Sequence, residues 1–191
     1  MGSIFKMIAV LSGICALAGF ALSYLKISTA PRIEEQVLTY VQEPAILKVF
    51  TDIDNSPIAE RQKFKLPDGR TVTVFPGRKE GVLVGVAIED FGKGFGGDIG
   101  VMAGFDVKRD TLIGIGITTM KETPGMGTRV AEPSFTSQFP GKPLDARLKA
   151  QGGDIDAVSG ATVSSVGVGV ALGSAAKTYA ALKTEIRRTW K

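Results

Sequence analysis

From Met7 to Leu25 the chain runs nineteen residues without a charge, with polar groups only at Ser12, Ser23 and Tyr24. As a helix rising about 1.5 Å per residue, that run spans roughly the ~30 Å hydrocarbon core of a bilayer. A cleaved signal peptide with Ala16-Leu17-Ala18 as its cleavage box is the rival reading. The apolar run continues through Phe20, Leu22 and Leu25, longer than a usual signal core, and favours an uncleaved anchor. From Pro31 to Thr51 the pattern turns helical, with Ile33, Val37, Leu38 and Val41 on one side. Pro31 suits a first turn there, and Pro44 breaks or restarts the helix. The period then shortens. Arg70–Phe75, Gly81–Ile88, Asp98–Phe105 and Thr111–Thr118 are rich in Val, Ile and Thr and bounded by Gly, Asp or Pro, which predicts four strands. Asp68-Gly69 and Arg109-Asp110 supply turns. No helical pattern separates these strands, so the sheet is expected to be antiparallel. Residues 129–150 read as irregular helix and loop, and Val163–Arg188 as a closing helix. The fold class is α+β: an N-terminal transmembrane helix, then an antiparallel-sheet domain with a C-terminal helix. The expected division is 1–27 anchor, 28–69 helical linker or stalk, and 70–191 globular domain.

Charge adds little to this picture. The net charge is +4, but Lys6 and Lys26 flank the apolar run, leaving 21 basic against 19 acidic residues in the remainder. That is no footprint for nucleic acid. The basic cluster Lys183, Arg187, Arg188 and Lys191 reads as a solvated helix end complementing the dipole. Lys6 on one side of the anchor and Lys26 and Arg32 on the other leave the orientation near a tie.

Two absences remove whole classes of chemistry. The chain has no His, and its one Cys is Cys15. No His-based triad or proton relay, no His/Cys metal site and no intrachain disulfide can be built. An iron–sulfur cluster needs several thiolates. Redox chemistry would have to arrive with an organic cofactor. Ser174-Ala175-Ala176-Lys177 matches the S-x-x-K of a serine acyl-enzyme but lacks the accompanying motifs.

Four segments could hold a ligand. Gly92, Gly94 and Gly97 satisfy G-x-G-x-x-G, yet strand-like residues follow where a dinucleotide site needs a helix. The segment reads instead as a glycine hairpin, flexible or passing close to a planar ligand, with Phe95 and Gly96 near the ring. Glu122, Thr123, Pro124, Gly125, Met126 and Gly127 combine a Pro-Gly turn, polar groups and exposed backbone N–H groups. Gln138-Phe139-Pro140-Gly141-Lys142 sets an aromatic beside a cation. Residues 156–165 read Asp-Ala-Val-Ser-Gly-Ala-Thr-Val-Ser-Ser. Ser159, Gly160 and Ala161 allow close backbone approach. Thr162 brings a hydroxyl to a helix start, where free N–H groups and the dipole favour phosphate. Val163 continues the turn, and Ser164 and Ser165 can add hydrogen bonds. An ordinary Ser N-cap is the plain alternative.

In this order the four segments resemble the FMN-binding domain of the G-type subunit of the Rnf ferredoxin:NAD+ oxidoreductase. They also resemble the related NqrC component of the sodium-translocating NADH:quinone reductase. The resemblance covers roughly residues 70–180, and the anchor agrees with it. It implies FMN joined covalently by a flavin transferase, through a phosphoester to Thr162, with Asp156 steadying the acceptor loop or taking part in its recognition. The other residues named in these segments, Lys142 included, would bind the cofactor. It implies neither a catalytic residue nor a metal ligand in this chain. The implied role is an electron relay within a redox-driven, ion-translocating complex of membrane and peripheral subunits. The implied place is the cell (inner) membrane, single-pass and lipid-embedded, with the domain on the extracytoplasmic side. Met120 stands where the family often has His. Length favours the Rnf-type subunit over the usually longer quinone-reductase subunit. A subunit of the latter enzyme, or a non-redox anchored sensor or assembly module, is the alternative.

Overall fold

Residues 2–190 are described in a computed structural model of the chain. Helix α1, Gly2–Val37, exposes every residue along its length. It belongs to one helical run, Gly2–Val49, long and apolar enough to cross a membrane. Pro31 lies inside α1 and does not start a new helix. Just before it, the hydroxyls of Ser28 and Thr29 both donate to the Leu25 carbonyl, at 3.1 and 2.7 Å, a local bonding pattern that helices accommodate. A π turn, Leu38–Gln42, follows, and α2, Glu43–Val49, carries Pro44 in its first turn, where a missing N–H does no harm. Contacts divide the chain into two compact units, Met1–Tyr40 and Val41–Lys191.

The second unit is built on an antiparallel meander in the order β1-β2-β3-β4-β5. The strands are β1 Gln62–Lys65, β2 Thr71–Lys79, β3 Val82–Lys93, β4 Asp98–Asp106 and β5 Leu112–Thr119. The expected α+β architecture is thus borne out, with one strand more than the sequence suggested. β1 escapes the pattern because Gln-Lys-Phe-Lys offers a single apolar residue, Phe64, on an edge strand. Both α2 and β1 fall in the stretch expected as stalk, and both lie in the second unit.

Strand alternation gives the sheet two apolar faces. Val86, Ile88, Ile99, Val101, Ala103 and Phe105 join α4, Thr162–Thr189, in the main core. The opposite face is paved with glycine. A Cβ on Gly104 would stand 2.1 Å from Val49, and one on Gly116 would stand 2.7 Å from the Ala45 carbonyl. One on Gly77 or Gly85 would press on the Phe50 ring. α2 therefore settles almost onto bare strand backbone. Ile46, Val49 and Phe50 are buried there, each worth about 1.5–3 kcal/mol of apolar burial.

The carboxyl end of α4 is tied to the β4–β5 turn. Asp110, at φ 57, accepts from Tyr179 Oη at 3.1 Å and from Lys183 Nζ at 2.6 Å. The Lys183 hydrogen bond holds the Asp110 carboxyl below its ordinary range. Arg187 donates to the Val107 carbonyl at 2.5 Å. Tyr179 stacks on Phe105, and Trp190 meets Phe64. Lys183 and Arg187 are thus fasteners, not the solvated helix end their clustering suggested.

Candidate functional site

At its amino end α4 begins on Thr162, with Ala161 as N-cap and no side chain capping the free N–H groups. The ordinary Ser N-cap is therefore absent. Gly160 sits at φ 80, a left-handed conformation that suits glycine, and turns the chain into the helix. Thr162 and Val163 are exposed, while Ser164 and Ser165 are buried.

The loop ahead of Thr162 is pinned at several points. Gln138 grips the backbone of Asp156 twice: its amide donates to the carbonyl at 3.2 Å and its oxygen accepts the N–H at 2.8 Å. The Asp156 carboxylate pairs with Lys149 at 2.8 Å. Ser165 Oγ accepts the Val158 N–H and donates to the Ala161 carbonyl, both at 3.0 Å. Arg129 reaches the Ser159 carbonyl at 3.4 Å. Ser164 Oγ donates to Glu122 Oε2 at 2.6 Å, and Glu122 Oε1 accepts the Gly96 N–H at 3.0 Å. One carboxylate thereby joins the hairpin, the Glu-Thr-Pro-Gly turn and α4.

The glycines make this junction possible. A Cβ on Gly94 would lie 2.4 Å from Glu122 Oε1, and one on Gly127 would lie 2.5 Å from Oε2. Gly92 and Gly167 let β3 and α4 touch through backbone, for a Cβ on Gly92 would fall 2.0 Å from the Gly167 carbonyl. As expected, strand β4 follows the G-x-G-x-x-G segment, so no dinucleotide helix exists there. Gly125, at φ 72, and the Met126 N–H donating to the Thr123 carbonyl at 3.2 Å form the turn anticipated at Pro124-Gly125.

These elements enclose a cleft of about 360 Å³, within the range of roughly 300–1,000 Å³ common to small-molecule sites. Phe95, Glu122, Thr123, Met126, Gly127, Gly160, Ala161, Thr162, Val163 and Ser164 line it. Phe95, Met126 and Val163 present large exposed apolar surface there. The sequence-selected segments thus converge, with corrections. Lys142 lies apart: it pairs with Asp154 at 2.6 Å beside a separate cleft, and its hydrogen bond holds the Asp154 carboxyl low. Both serine hydroxyls after Thr162 are spent on protein partners, so neither points a free donor outward. Ser159, Pro124 and Gly125 flank the cleft without lining it, and Gly96 contributes through Glu122. Gln138 and Arg129 were missed; nothing in an isolated Gln or Arg announces a grip on a backbone amide eighteen or thirty residues away.

Residues 94–177 match the FMN-binding domain family. The G-type subunit of the ion-translocating oxidoreductase complex of Methanosarcina acetivorans is 40% identical over 96 residues, covering 50% of this chain and 51% of that protein. The chain thus spans about half the length of this relative. Its counterpart in the complex of Stutzerimonas stutzeri is 27% identical, covering 83% of this chain and 70% of its own length. In three dimensions the chain is similar to NqrC of Shewanella oneidensis, with a TM-score of 0.55, 26% identity and 63% of each chain covered. The expected kinship with the NqrC fold therefore holds, and the chain is a relative of the G-type subunits of ion-translocating oxidoreductase complexes that carries the FMN-binding domain of that family.

Proposed function

We propose that this chain is the membrane-anchored flavoprotein subunit of an Rnf-type ferredoxin:NAD+ oxidoreductase, relaying electrons through FMN esterified to Thr162 Oγ. One observation carries the reading: Thr162 is exposed at an uncapped helix start and opens into a cleft walled by Phe95, Met126 and Val163. The donors suit FMN. The phosphate belongs at the free N–H groups of the first turn of α4, whose positive end favours an anion by about 0.3–1 kcal/mol. The apolar walls suit the isoalloxazine, and the Thr123 hydroxyl and neighbouring backbone supply polar contacts. When bound, the flavin supplies electron exchange; the protein sets its place and its potential.

The chain's own residues do the rest. Gln138, Ser165 and Arg129 hold the acceptor loop so that Thr162 projects. Glu122 and Ser164 fix the cleft floor. Asp156 stands at the start of the loop, exposed and paired with Lys149, where a flavin transferase can read it. Covalent attachment keeps the flavin from escaping through an open cleft. The long apolar helix places the subunit in the membrane, and we assign the domain to the extracytoplasmic side, beside the membrane and peripheral subunits of the complex. Both curated relatives above are G-type subunits of ion-translocating oxidoreductase complexes, which favours this complex over the quinone reductase.

The test is a denaturing gel of the full chain produced with a flavin transferase. Flavin fluorescence on the band, mapped by mass to Thr162 and absent from Thr162→Ala, is expected. Covalent flavin that persists in the variant would overturn the assignment. A colourless chain, from cells that flavinylate other proteins, would leave the non-redox sensor or assembly module as the better reading.

A further inference from the structure

We propose that Glu122 sets the reduction potential of the flavin held at Thr162, its negative charge in the cleft wall disfavouring added electrons. The proposal rests on the reading of Thr162 above and assigns Glu122 a role beyond contact.

Glu122 is 7% exposed and lines the cleft. Each of its oxygens accepts a hydrogen bond, one from Ser164 Oγ and one from the Gly96 N–H, the pattern of an ionised carboxylate. Among the described residues it makes no ion pair. Lys121, its neighbour in sequence, runs beside Gly97 instead. Arg129 is engaged with the Ser159 carbonyl and Glu132. Gly94, Gly96 and Gly127 surround Glu122 with backbone, leaving no side chain to shield it. The nearby walls are apolar, where a charge acts more strongly than in water.

The amino end of α4 carries the opposite sign, roughly half a positive charge, and alone would draw electrons onto a flavin beside it. Glu122, bonded to the third residue of that helix, offsets it. Two-electron reduction of an isoalloxazine with one proton leaves a negative charge, and with two protons none. A neighbouring carboxylate disfavours the first outcome, so the potential falls and each electron is accompanied by a proton. In the complex the electrons come from a partner's redox centre; in the test they come from a chemical titrant.

The test is a spectroelectrochemical titration at fixed pH of the flavin-loaded full chain in detergent. Glu122→Gln keeps the size and one acceptor but removes the charge. It should shift the equilibrium at least tenfold toward the reduced flavin, a rise of about 59 mV for a one-electron couple or about 30 mV for a two-electron couple. Ser164→Ala removes a hydrogen bond that partly neutralises the carboxylate and should lower the potential. Glu185→Gln, an exposed change far along α4, should leave it unchanged. A loaded Glu122→Gln protein with the wild-type potential would overturn the proposal. If that variant does not load, Ser164→Ala decides: a lower potential supports the proposal, and an unchanged or higher one refutes it. If neither variant loads, Glu122 merely maintains the loop, and the proposal fails. A wild-type chain without covalent flavin is a failure of the Thr162 reading, seen on the gel before any potential is measured.

Discussion

At its carboxyl end α4 is fastened by side chains that look inward: Tyr179 and Lys183 on Asp110, Arg187 on the Val107 carbonyl, Trp190 on Phe64. At its amino end the fastening sits one step back from the surface. Ser164, Ser165 and Glu122 hold the first turn from beneath, while Thr162 and Val163 stay exposed. One helix therefore joins a closed end, built for stability, to an open end whose free N–H groups await a partner. Changes at one end should register in stability and changes at the other in cofactor, and substitutions at each end test that separation.

The largest effect is all or none. Thr162→Ala should lose covalent flavin entirely while its unfolding midpoint stays within the ±0.5 kcal/mol or so usual for surface changes. Next, Tyr179→Ala should destabilise the domain by about 3–5 kcal/mol, while the flavin content of the folded fraction is unchanged; a parallel loss of flavin would show that the two ends are not separable. Gln138→Ala removes two hydrogen bonds and should cost about 1–2 kcal/mol, with faster amide exchange at Asp156 as the local readout. Asp110→Asn is subtler. Asparagine tolerates the positive φ, so the lost charge dominates. Because the folded-state pKa of Asp110 is depressed, its contribution is present above the unfolded value of about 3.9 and disappears as pH falls through the folded one. The wild type's advantage over Asp110→Asn should hold from about pH 7 to about pH 5 and shrink below about pH 4 in denaturation curves. The smallest effect is a gain. Gly169 and Gly173 have nothing within 4 Å of an added Cβ and no positive φ, so Gly169→Ala and Gly173→Ala should each stabilise α4 by about 0.5–1 kcal/mol. Gly167, against the Lys93 carbonyl, should tolerate no such change.

Much of this was legible in the sequence where a local rule operates. Runs of Val, Ile and Thr marked β2 to β5, nineteen uncharged residues marked the membrane helix, and Gly160-Ala161-Thr162 marked the helix start. What escaped depends on partners distant in sequence. Lys142 looked like a ligand for an anion because its target, Asp154, is set by the fold. Ser164 and Ser165 looked available because Glu122 and Val158 reach them only once the sheet has formed. Pro31 looked like a helix start because a lone proline says nothing about the helix already running through it. α2 looked like more of a stalk because its helical period is the same whether or not a glycine-faced sheet lies beneath it.

That glycine face limits where a soluble fragment can begin. A chain started at residue 70, the natural cut from the sequence pattern, would lack both β1 and the α2–Phe50 cover. Gly77, Gly85, Gly104 and Gly116 would then be open to water, and β2 would become a bare edge inviting pairing with another molecule. A fragment begun near Val41 keeps its own lid. The short stretch after the membrane helix thus belongs to the folding unit it introduces, and an exchange of anchors between such proteins has to be made ahead of it.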